Sequence, residues 1–142
     1  MNKPIQLDFD TLKEDWNWYS LKDETRIKVK LIVVNVIKSD STFDVNTEKV
    51  FGVVSPPDKM GLRTDQRHSQ EELSRSIIED DLDFSTIKED WNSYKLPDGT
   101  ILKAKLALTK VSKTSKYDHA GDPFYVFQSA PLFKILKPKN SS

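Results

Sequence analysis

The segment Leu7–Tyr19 of this chain returns, with three changes in thirteen positions, as Leu82–Tyr94. The alignment that sets Leu7 against Leu82 continues without a gap to Leu31 and Leu106, and 16 of its 25 pairs are identical. A match of this strength within one chain sets two versions of one pattern side by side. Side chains present in both are expected to serve the shared local structure. Those present in only one are free to vary or specialised.

Two versions in one chain of 142 residues make each a very small unit. A unit of about 60 residues buries only about 60% of its unfolded surface and is marginal alone. The two are therefore expected to pack on each other or on another chain. The boundaries fall at residues 1–57 for a first β repeat, 58–81 for a linker and 82–142 for a second β repeat. Residues 69–72, Ser-Gln-Glu-Glu, form a capping box for a short linker helix reaching about Ile78, with Leu73, Ile77 and Ile78 on one face. The tail 137–142 has the composition of a disordered end.

Within each repeat the pattern predicts the same elements. Leu12 and Trp16, like Ile87 and Trp91, lie four apart and predict a short helical turn, with Glu14-Asp15 and Glu89-Asp90 at its positive end. A turn follows at Lys22-Asp23-Glu24-Thr25 and at Pro97-Asp98-Gly99-Thr100. Ile27, Val29, Leu31 and Val33 then alternate with polar positions, as do Leu102, Ala104, Leu106 and Leu108, so each run is a strand with one buried face. The phase slips before Val36 and Val111, which predicts a bulge or bend. A third strand follows at Val50–Val54 or Phe124–Gln128, ending at Pro56 or Pro131. Only the second repeat continues into a fourth, Leu132–Leu136. The expected architecture is mainly β: two tandem homologous units, each a small barrel or sheet of SH3-like or Sm-like size preceded by a short helical turn.

Charge and composition restrict function. The 22 basic and 22 acidic residues cancel, so no strong overall field drives nonspecific nucleic-acid binding. The balance is uneven, running from −1 over residues 1–57 (8 basic, 9 acidic) through −3 over 58–81 (4, 7) to +4 over 82–142 (10, 6). There is no cysteine, hence no disulfide, thiolate or Cys-type zinc site. Neither a signal peptide nor an apolar run long enough to span a bilayer is present, which suits a cytoplasmic protein without membrane attachment.

No Ser-His-Asp order, phosphate loop or dinucleotide fingerprint occurs, so no enzyme and no cofactor is expected. Asp118, His119 and Asp122 carry the donors a divalent ion accepts. Their Asp-His-Ala-Gly-Asp-Pro sequence is equally that of a hairpin loop, so a metal-dependent enzyme is only a secondary alternative. The preferred reading is a non-enzymatic binding or assembly module that engages a protein partner, or another copy, through loops or an open sheet edge. Single-stranded nucleic-acid binding through the basic second repeat is the main alternative. The candidate partner-binding residues are Trp18, present in one repeat only, and Lys103, Lys105, Lys110, Lys113, Lys116 and Tyr117. Trp16 and Trp91 read as core residues.

Overall fold

Period-two alternation over residues 26–33 and 101–108 marks the two central strands, against which most of the other strands pair. The computed structural model describes residues 3–61 and 67–138. In chain order its elements are β1 (Ile5–Leu7), β2 (Asp10–Lys13), β3 (Asn17–Leu21), β4 (Arg26–Ser39), β5 (Thr42–Val54), a 3-10 turn at Pro57–Lys59, α1 (Gln70–Arg75), β6 (Ile77–Glu79), β7 (Phe84–Lys88), β8 (Asn92–Lys95), β9 (Ile101–Tyr117) and β10 (Pro123–Leu136). The protein is mainly β and forms two antiparallel five-stranded sheets.

In the first sheet β5 covers one edge of β4 along its whole length, from Arg26↔Val54 to Ser39↔Thr42. The other edge is shared: β3 pairs with residues 26–29, β1 pairs with residues 36–38, and β7 lies outside β3. The second sheet has the same plan, with β10 along β9, β8 and β6 sharing the opposite edge, and β2 outside β8. Inner faces of both sheets contribute to one core, with Tyr19, Ile27, Val29 and Leu31 from the first and Tyr94, Leu102, Ala104 and Leu106 from the second.

The outermost strand of each sheet comes from the other half of the chain. β2 leaves the first half to pair with β8, and β7 leaves the second half to pair with β3. This corrects the expected helical turns, because Leu12 and Ile87 lie in strands and are 56% and 51% exposed. A single helical turn is below the length at which helix sustains itself in water, and an unfilled strand edge offers the backbone better partners. The barrel expectation is corrected as well. Among the described residues neither sheet closes on itself, since β5 and β10 each pair on one side only.

The register also redraws the strands after the loops. β10 is one strand in which Pro131 lies opposite Leu106, so the expected third and fourth strands of the second half are continuous. Proline is tolerated there because β10 is an edge strand and needs no donor on its outer side. Val29 faces Phe51, and its counterpart Ala104 faces Phe133. Beyond the loops Phe51 is thus matched by Phe133 and not by Val126, where the spacing of Leu7 and Leu82 would put its partner. On this matching β5 has no missing fourth strand. The expected phase slip is a bulge in both halves, at Val34 between Val33 and Asn35 and at Thr109 between Leu108 and Lys110. In the linker, Ser69 accepts from the Glu72 amide (3.1 Å) and caps α1, which ends at Arg75. Ile77 and Ile78 therefore belong to β6 rather than to the helix. The parts of the linker and tail readings at residues 62–66 and 139–142 lie outside the described residues.

Candidate functional site

The exchange of strands leaves a gap on each central strand where one pairing partner ends and the next begins. Side chains from the opposite half fill it. Asn92 donates to the Leu31 carbonyl (3.1 Å) and accepts from the Asp15 amide (3.1 Å). Asn17 does the same for the Leu106 carbonyl (3.1 Å) and the Asp90 amide (3.2 Å). The Tyr94 hydroxyl donates to Glu14 (2.6 Å) and that of Tyr19 to Glu89 (2.5 Å). Burial, then the adjoining carboxylate, holds both phenols well above the usual range. The Glu-Asp pairs thus serve tyrosine hydroxyls and cross-half ion pairs, Lys13–Asp90 (3.4 Å) and Lys88–Asp15 (3.5 Å), and not a helix start. Both asparagines were visible in the sequence only as identities between the two segments.

On the side of each sheet away from β7 and β2, the edge strands are β5 and β10, each paired on one side only among the described residues. Phe51 and Phe127 stack across these two strands, with ring centroids 4.6 Å apart and planes within 3°. The register makes Val45 the counterpart of Phe127, since Val36 faces Val45 and Val111 faces Phe127. With valine in place of phenylalanine, Phe133 has no equivalent ring to stack on. A groove of about 410 Å³ opens there, lined by Ser41 through Val45, Leu102, Phe133 and Ile135. Consecutive residues of β5 line it, so the strand's edge borders the groove as well as one of its faces. It continues into a cleft of about 490 Å³ walled by Lys38, Asp40, Asp98, Thr100 and Lys137. Hydrogen bonds from the Thr100 side chain and backbone, with Lys38 nearby, hold the Asp98 carboxyl below the usual range. Along this end of β10, Leu132, Phe133, Ile135 and Leu136 are 39–46% exposed.

The candidate residues read from the sequence do not converge. Lys105 pairs with Glu89 (3.7 Å) and lies over the Trp91 ring. Lys103 faces Lys134 across the second sheet. Lys110 pairs with Asp80 (3.2 Å). Lys113 lines a separate cleft of about 420 Å³ with Asp23, Lys59, Asp81 and Tyr125. Burial pushes the Tyr125 phenol up to about 12. Lys116 is half-buried near the end of β9, and the ring of Tyr117 lies against Gly61, leaving no room there for a Cβ. His119 is exposed, while Asp118 accepts from the Ala120 and Asp122 amides (2.9 Å each), so its carboxylate closes the loop. Among the described residues no group of three or more His, Asp or Glu side chains is arranged to hold a metal ion, and no helix is long and apolar enough to cross a membrane.

Trp18 does occupy a distinctive place, on the outer face of the first sheet. Arg26 lies over its ring at 4.5 Å and Lys28 at 6.0 Å. Trp16, on the same face and half-buried, has Lys28 at 4.6 Å and Lys30 at 5.7 Å. Neither Trp16 nor Trp91 is part of the buried core, which corrects their reading as core residues. Comparison with protein-family models, with curated proteins and with solved structures finds no match to this chain.

Proposed function

We propose that the protein is a non-enzymatic, cytoplasmic binding module. In this reading its two halves, 1–57 and 82–142, are homologous units joined by the 58–81 linker, and they take an extended segment of a partner protein into the groove between β5 and β10. The observation that carries it is this groove, an apolar trough bordered by strand edges that lack an outer neighbour among the described residues. Such edges are normally blunted by charge or covered. Exposed apolar side chains gathered along one instead suit strand addition, in which backbone hydrogen bonds supply affinity and alternate side chains fill pockets.

The test is selection of extended peptides from a random display library, followed by amide chemical-shift mapping with the selected sequence. Peptides with apolar residues at alternate positions should perturb amides of residues 42–45 and 132–136, and Ile135→Lys should abolish binding. If no peptide is enriched, or the shifts fall elsewhere, the reading fails. Light scattering across a concentration series distinguishes a second copy as occupant, since the free protein would then dimerise through the same residues.

A further inference from the structure

The outer face of the first sheet carries features that the shared framework does not need. Trp18 and Arg26 have Ser93 and Ile101 as their counterparts, and the second sheet folds on the same plan without them. Lys28 lies opposite Gly52, where a Cβ would collide with its side chain, whereas Lys103 in the second sheet lies opposite Lys134. The lysine therefore lies flat on the sheet and the row remains shallow. Lys105 is tied to Glu89, but among the described residues Arg26, Lys28 and Lys30 make no ion pair within 4.0 Å. Two indole rings and three cations without carboxylate partners thus share one open face, flanked on β5 by the exposed Val50 and Val54.

We infer that this face is a binding site for single-stranded nucleic acid. Indole rings stack bases whatever their sequence, and cations beside them neutralise the connecting phosphates. The cation contacts on the half-buried Trp16 and Trp18 rings are individually modest, so a base that takes the open part of a ring frees its cation for a phosphate. Trp16 lies just before β3 and Trp18 within it, and Lys28 reaches both rings, so the two indoles sit close enough on one face to receive successive bases of an extended strand. A duplex, with its bases already stacked on one another, cannot use the rings. The alternative placement, on the lysines of the second half, lacks this convergence of free cations with a pair of rings.

Titration of the full-length protein with a fluorescein-labelled single-stranded oligonucleotide, read by anisotropy and by tryptophan quenching, tests the site. Binding should weaken with salt at a log–log slope of about −2, for three phosphate contacts at about 0.7 each. Trp18→Ala should weaken binding roughly tenfold. Arg26→Glu, at an exposed position, should weaken it and flatten the salt slope by about one unit. Lys103→Glu should leave it unchanged, and circular dichroism confirms that each variant is folded. Absence of binding at low salt overturns the inference. So does binding that Trp18→Ala and Arg26→Glu leave intact, or that polyglutamate or anionic vesicles displace as well as unlabelled oligonucleotide, which would mark a general anion surface.

Discussion

At the scale of single residues, the molecule depends on polar side chains buried where its two halves meet. Asn17 and Asn92 each join a backbone amide to a carbonyl that the sheets leave unpaired, and such buried groups are costly when orphaned. Nothing in hydropathy or spacing marks them, because asparagine is a polar residue found mostly at surfaces. Their recurrence at matching places in the two segments is the one signal of them that the sequence carries. The tyrosines yield a prediction about alkaline pH. Tyr19, Tyr94 and Tyr125 hold their protons more tightly when folded than the usual phenol, which ionises near 10. The unfolded chain therefore releases protons first, so their contribution to stability is complete below about pH 10 and declines as pH rises above it. Phenolate absorbance from these three side chains should appear only as the fold is lost, together with the loss of near-ultraviolet circular dichroism. Tyr19→Phe with Tyr94→Phe should flatten that pH dependence. Phenolate formation by Tyr19 and Tyr94 in a still-folded protein, seen as the absorbance that the double Phe variant lacks, would contradict it.

At the scale of elements, the sequence was readable wherever a strand alternates. β4 and β9 were clear because Ile27–Val33 and Leu102–Leu108 bury one face, and both bulges were announced by the misplaced Val36 and Val111. β2 and β7 were not readable. All of β2 and most of β7 are exposed, so no period distinguishes strand from helix, and their partners lie in the other half of the chain. β10 was broken at Pro131 by a rule that applies to central strands, not to edges. Of the candidate contact residues, only Trp18 reached the basic indole face. The second-half lysines are one strand's worth of side chains divided among separate partners. The groove was invisible because the match that exposes Val45 as the odd counterpart of Phe127 is set by loop length and register. Val45→Phe should place a ring against Phe133 as Phe127 lies against Phe51, raising stability by about 1 kcal/mol in urea unfolding. A loss of stability would mean that the groove's walls cannot accept the ring.

At the scale of the whole molecule, the exchange of β2 and β7 makes the halves mutually dependent. Polypeptides 1–66 and 67–142, made separately, should each lack a cooperative melt, and mixing them in equal amounts should restore native circular dichroism. A cooperative melt from either fragment alone would show that a half can complete its own sheet. The exchange also bears on how the protein is made. On the ribosome, β3 to β5 are finished at Val54, but the strand that covers β3 is not complete until Lys88. At about 5–20 residues per second the stretch between them takes roughly 2–7 seconds to synthesise. During that pause the nascent first sheet waits with β3 uncovered, and a neighbouring chain on the same message can offer its own β7 first. Slower elongation over codons 55–88 should therefore raise the share of intertwined pairs, read by light scattering as the dimer fraction of freshly made protein.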